Sequence, residues 1–153
     1  MLRDCAQCKD YTVIVLSTHR KEKVEKIEQI LTQLIEKSSE GTPIIVEGKK
    51  DAAALQELGV KGPILKVKTG GKSFLEVTAE IEKLSSNEVI LFLDFDRRGK
   101  EGTKHLQESL ERGKILVNLK FWHDMRALAG REMHCIEGLP SYLSTLQEKA
   151  ALR

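Results

Sequence analysis

Two short runs of unbroken apolar residues, each closed by an acid, organise the hydrophobic pattern of this chain. Pro43-Ile44-Ile45-Val46 ends on Glu47, and Val89-Ile90-Leu91-Phe92-Leu93 ends on Asp94. Runs this short and this apolar read as strands buried on both faces, as in a parallel sheet. Around them, apolar residues fall at helical spacing. Val24, Ile27, Ile30, Leu31, Leu34 and Ile35 form one stripe, which predicts a helix over 21–37 stopped by the segment 38–43. Further along, the pattern predicts a helix over 51–58, a strand over 63–67, a helix over 74–84 and the strand over 88–94. A helix over 100–112, ended by Gly113, and a strand over 115–121 follow. Residues 122–153 read as mostly helical, broken at Gly130 and at Gly138-Leu139-Pro140. The apolar stretch from Tyr11 to Leu16 is ambiguous, an edge strand or an appended tail.

This β-α-β-α-β-α-β order predicts an α/β fold. The sheet is mainly parallel and four-stranded, with right-handed crossovers, flanking helices, and N- and C-terminal helical extensions. At 153 residues the chain is expected to form one domain. Its parts are an N-terminal segment 1–18, a helix 19–42, a core 43–121 and a C-terminal helical extension 122–153. The apolar share of 41% and charged share of 31% describe a soluble protein. No stretch is long enough to cross a bilayer, so a cytoplasmic protein with no membrane partner is expected. The net charge of +2, from 25 basic and 23 acidic residues, neither demands nor excludes a nucleic-acid partner. Few aromatics (5%) argue against a surface built on base stacking. Three cysteines suggest a reducing compartment. Cys5 and Cys8 with His134 and Cys135 would make an irregular zinc set, and unpaired thiols are the simpler reading.

The chemistry lies where the two apolar runs end. In an open α/β sheet the ligand site sits beyond the carboxyl ends of the strands. Glu47, Asp94 and Asp96 are therefore expected to meet at one edge. Three gathered carboxylates repel one another, and a hard divalent cation relieves that repulsion. Mg²⁺, as one or two ions, is the expected cofactor, with Mn²⁺ as a substitute. If the strand persists, Asp94 and Asp96 point the same way; if the chain turns after Asp94, Asp96 serves a second ion. Asp51 reads first as a helix-start residue that caps or charges the helix N-terminus, and second as a contact to the ligands. Asp124 reads as the cap of a later helix, and His105 as an exposed helix residue.

Basic residues surround these acids. Gly48, Lys49 and Lys50 follow Glu47, and Arg97, Arg98 and Lys100 follow Asp96, with Lys104 a turn further on. Lys66, Lys68 and Lys72 bracket another strand end. Together they predict a rim for phosphate or nucleic acid. Gly71-Lys72-Ser73 matches the tail of a P-loop, but the Gly required five positions before Gly71 is Lys66 here. An aspartyl-phosphate phosphatase would carry its Asp pair after the first strand and would leave Glu47 unexplained.

Val46-Glu47-Gly48-Lys49-Lys50-Asp51 and, later, Leu93-Asp94-Phe95-Asp96-Arg97-Arg98-Gly99 resemble the TOPRIM domain of topoisomerases, bacterial-type primases, the 5S ribosomal RNA maturase and some nucleases. The resemblance covers about residues 43–121, and the small size looks most like the maturase and small primase-like proteins. It implies a Rossmann-like core. It also implies Glu47 as catalytic acid/base or metal ligand, and Asp94 and Asp96 as ligands of one or two Mg²⁺. One departure stands out: Phe95 lies between the aspartates where many members carry Gly or Pro. The function implied is Mg²⁺-dependent phosphodiester chemistry on RNA or DNA, as a nuclease, an RNA-processing enzyme or a primase-like transferase. A metal-containing binding module without turnover is the alternative, and nucleotide hydrolysis a minor one. Substrate and oligomeric state are left open by the sequence.

Overall fold

A computed structural model describes the backbone of residues 6–67 and 74–151, with side chains over 18–67 and 76–151. A long helix comes first, α1 (Ala6–Ser39). Strand β1 (Ile44–Val46) leads to α2 (Lys49–Glu57), and β2 (Ile64–Lys66) precedes α3 (Phe74–Lys83). Then come β3 (Glu88–Leu91), α4 (Arg97–Arg112), β4 (Leu116–Asn118), α5 (Lys120–Ala129) and α6 (Leu139–Ala151), the last entered through a 3-10 turn at Ile136–Gly138.

The four strands form a sheet in the order β2-β1-β3-β4, and every pairing is parallel. Apolar residues alternate between its faces with the period of two that a strand imposes. Ile44, Val46, Ile90 and Phe92 join α1, α2, α5 and α6 in the larger core. Ile45, Val89 and Leu91 point the other way, into a smaller core with Val77 and Ile81 of α3 and Leu110 of α4. Both strand faces are thus covered, which is why the central runs carry no polar residue.

The connections fix where a site can form. From β1 the chain crosses through α2, on the larger-core face, to β2 at one edge. From β3 it crosses through α4, on the opposite face, to β4 at the other edge. The two central strands therefore send their connections apart, and a crevice opens between their carboxyl ends. Ile44 pairs with Ile90 and Ile45 with Leu91. Carried onward, that register brings Gly48 level with Asp94.

Four segments differ from the pattern-based expectation. Tyr11 to Leu16 is neither strand nor tail but lies within α1. Strand pairing in β3 stops at Leu91, although the Phe92 amide still donates to the Ile45 carbonyl at 2.9 Å. Strand β4 is cut short because Asn118 Oδ1 accepts from the Lys120 amide at 3.0 Å and turns the chain into α5. Phe121 and Trp122 consequently enter the core from a helix, and Asp124 lies inside α5 rather than capping it. Among the described residues, no helix is long and apolar enough to cross a membrane.

Candidate metal centre

Glu47 and Asp94 leave the two central strands at the crevice. Glu47 follows β1 directly and is half-buried; Asp94 follows β3 and is only 8% exposed. Asp51 comes from the first turn of α2 and is 7% exposed. Its Oδ2 accepts the Gly48 amide at 3.2 Å, so it closes the helix start as expected while its carboxylate also lines the crevice. Carboxylate oxygens of Glu47, Asp51 and Asp94 lie within 4.8 Å of one another.

Asp96 stands apart from that trio. The chain turns after Asp94, and Asp96 becomes the cap of α4, its Oδ1 accepting from the Gly99 amide at 2.7 Å. Asp96 is exposed, and it groups with Asp94 and the Cys135 sulfur, again within 4.8 Å. Asp94 is thus the one residue common to both donor sets. Two features hold it in place. The Ile136 amide donates to its Oδ1 at 2.8 Å, and Trp122 Nε1 donates to the preceding Leu93 carbonyl at 2.9 Å. Gly99 is required by the same packing: a Cβ there would collide with the Asp94 carbonyl.

The electrostatics mark Asp94 as strained in its ionised form. Its pKa is raised to about 7, first by burial, which the Ile136 amide only partly offsets, and then by the hydrogen-bonded Glu47 carboxyl and the Asp51 charge. Burial raises Asp51 as well, with the Glu47 and Glu137 charges adding to it. The Cys135 thiol is pushed up by burial and then by the Asp94 and Asp96 charges. Without a cation it stays protonated at neutral pH and is a weak donor.

Oxygens bound at about 2.0–2.6 Å to one hard cation lie at most about 5 Å apart. The trio meets that limit, and its donors are all carboxylate oxygens, so the residues fit a hard divalent cation. The crevice that they line, about 410 Å³, also takes in Gly48, Lys49, Lys50 and Glu137.

Of the basic residues expected to form a rim, two line the crevice. Lys49 and Lys50 are exposed at the crevice mouth. Arg97, Arg98, Lys100 and Lys104 are exposed on α4, and Arg97 Nε pairs with Glu101 at 3.2 Å in an exposed contact that is weak in water. Gly48 carries no steric neighbour, and its backbone is extended. His105 is exposed, as expected. Lys68, Lys72 and the P-loop-like turn lie outside the described residues, as do Cys5 and the Cys8 side chain. In the sequence, Asp51 reads first as a helix-start residue and Cys135 as an unpaired thiol. The capping geometry of Asp51 was legible; the approach of Cys135 depends on the Phe95 amide donating to the His134 carbonyl at 2.7 Å, a long-range contact.

The Toprim domain model matches residues 42–120, one residue from the expected core at each end. A UPF0292 protein of Methanosarcina barkeri is 33% identical over 134 residues, covering 88% of this chain and 91% of that protein. A UPF0292 protein of Methanocaldococcus jannaschii is 36% identical over 126 residues, covering 82% and 95%. Among solved structures, a putative protein from Aquifex aeolicus superposes with a TM-score of 0.62 at 25% identity, covering 72% of this chain and 94% of that one. A strand-end Glu-Gly and the first acid of an Asp-x-Asp, brought to one crevice of a parallel sheet, thus coincide with a family match over the same residues, and the chain belongs to the Toprim-domain proteins, alongside the UPF0292 relatives.

Proposed function

We propose that this protein binds divalent cations, Mg²⁺ foremost, in the Asp94 crevice and uses them to hydrolyse phosphodiester bonds of nucleic acid. The observation that carries the reading is the position of Asp94, a buried acid belonging to two donor sets at the switch point of the sheet. A carboxyl pushed to about 7 at such a place is costly to ionise alone and is relieved by a cation.

Glu47, Asp51 and Asp94 would hold the first ion, and Asp94 with Asp96 a second. When bound, such a cation polarises a phosphate oxygen and lowers the pKa of water. The protein's own contribution is position and proton transfer. Asp51 and Asp94 are fixed by the Gly48 and Ile136 amides. Glu47, the least buried of the trio, lines the crevice and would take the proton from the attacking water as the phosphorus–oxygen bond to the leaving strand breaks. Lys49 and Lys50 at the mouth, and Arg97 and Arg98 on α4, meet the phosphates on either side of the reacting one.

The test is a screen of structured RNAs and of single- and double-stranded DNAs with Mg²⁺ and Mn²⁺, comparing wild type with Glu47→Gln and Asp94→Asn. Cleavage by wild type alone, with binding kept in Glu47→Gln, supports the enzyme. Tight binding without turnover under every cation would replace it with a binding module.

A further inference from the structure

A second hollow lies beside the acidic crevice, and its chemistry is the opposite. It measures about 400 Å³ and is lined by Phe95, Lys100, His123, Arg126 and Arg131, with backbone around Ala127 and Gly130. No acid lines it. The nearest acids in sequence on α5 and just after it are turned elsewhere. Asp124 lines a different hollow, against Lys26 and Gln33 of α1. Glu132 is engaged by Lys23 Nζ at 3.3 Å and by the Tyr142 hydroxyl at 2.9 Å. Lys100, Arg126 and Arg131 are all exposed and share this hollow.

Two of its features are built rather than incidental. The Arg126 guanidinium lies over the Trp122 ring, 5.3 Å from its centroid, and that ring is itself fixed by its bond to the Leu93 carbonyl. A stacked guanidinium has lost much of its freedom before any ligand arrives. Phe95 forms part of the lining, and its ring packs at 5.9 Å from Trp122. Phe95 is also the residue between Asp94 and Asp96. The departure from the usual Gly or Pro at this position thus joins the acidic loop to the basic hollow.

We propose that this hollow is a phosphate-backbone subsite: Lys100, Arg126 and Arg131, with His123 beside them, hold nucleic-acid phosphates flanking the one at the Asp94 crevice. The occupant follows from charge complementarity and from adjacency to the acids. This rests on the nucleic-acid reading above, extending it to α5 residues that the strand-end motifs do not include. A phosphate backbone leaving the crevice over Phe95 meets the three cations in sequence. They fix its path without reading its bases.

The test measures binding of a short fluorescein-labelled oligonucleotide by anisotropy, as RNA and DNA, single-stranded and duplex, in EDTA so that no cation contributes. Wild type is compared with Lys100→Ala/Arg131→Ala and with Arg126→Ala. A control, Lys61→Ala/Lys83→Ala, removes the same charge from exposed positions that precede β2 and β3, away from the strands' carboxyl ends. Circular dichroism checks that each variant folds. The double variant is expected to bind about tenfold more weakly, and its salt slope to fall by roughly 1.4 to 1.8, the share of two phosphate contacts. The control is expected to match wild type. Binding unchanged in both hollow variants, or weakened equally by the control, overturns the subsite while leaving the metal-centred reading intact. A wild type that binds no nucleic acid under any condition overturns both. Wild-type binding that depends on the hollow without any cleavage keeps the subsite and removes the hydrolytic reading.

Discussion

The Ile136 backbone amide donates to Asp94 Oδ1 at 2.8 Å, joining residues 42 apart in sequence. The bond makes the 3-10 turn before α6 part of the acidic crevice. It holds one lobe of the Asp94 carboxyl and leaves its orientation to be set by the backbone rather than by a flexible side chain. The neighbouring Trp122 bond to Leu93 does the same one residue earlier, from α5. Segments outside the strand-end motifs thus set the geometry of the central acid.

Trp122→Phe should therefore act at a distance. It keeps an aromatic ring in the core but leaves the buried Leu93 carbonyl without its donor. The expected cost is about 1–3 kcal/mol in urea unfolding, with weaker cation binding in titration calorimetry. A variant that loses stability yet binds the cation as wild type does would show that Asp94 needs no such anchor.

Two glycines give opposite forecasts. A methyl at Gly99 meets the Asp94 carbonyl, so Gly99→Ala must push the start of α4 away from the acids. A loss of about 1–3 kcal/mol is expected, with impaired cation binding. Gly48→Ala meets open space and an ordinary extended backbone. Its stability should stay within about 0.5 kcal/mol of wild type, while nucleic-acid cleavage falls because the added methyl stands at the crevice mouth. Thermal melts and cleavage assays on the same preparations separate the two effects.

The pH dependence of the cation-free protein follows from Asp94. Its pKa rises from 3.8 to about 7 on folding. Between those values the folded state holds a proton that the unfolded chain has released, so stability falls as pH rises. Asp51 is shifted the same way and adds to the trend. The melting temperature in EDTA should decline from about pH 4 to about pH 7. Mg²⁺ should restore it most above that range, where it no longer competes with the proton. Asp94→Asn should flatten the EDTA profile, since the amide oxygen still accepts from Ile136 and carries no charge.

Much of this arrangement was legible in the sequence because it is local. The apolar runs around Ile45 and Ile90 announce strands buried on both faces, and the acids that close them announce the crevice. The helix ends at Gly113 and Gly130 read correctly because they rest on backbone geometry, while α2 and α4 begin two and three residues before the expected 51 and 100. What escaped is tertiary. Tyr11 to Leu16 is rich in β-branched residues, yet lies in α1. Phe121 closes a stretch that looks like strand until Asn118 turns the chain into α5. Asp51 was legible as a helix-start residue, while its place among the acids required the packing of α2 against the crevice. Arg126 and Arg131 are ordinary surface charges in sequence; only the turning away of Asp124 and Glu132 leaves them facing a shared hollow.

That difference makes Asp51 a useful discriminator. Asp51→Asn keeps an oxygen for the Gly48 amide but removes a charge from the trio. Cation affinity should drop at least about tenfold, with the helix start preserved by circular dichroism. Asp96→Asn, which touches only the second donor set, should leave the tighter binding step unchanged in the same calorimetric titration.

Asp94, shared by both donor sets, is the residue on which a divalent-cation site would depend. Electron paramagnetic resonance of Mn²⁺ titrated into the protein near pH 8 reads it directly. Saturable Mn²⁺ binding is expected from wild type, displaced by excess Mg²⁺, and none from Asp94→Asn, which stays folded. Equal Mn²⁺ binding by both proteins, or none by wild type at millimolar Mn²⁺, would contradict it.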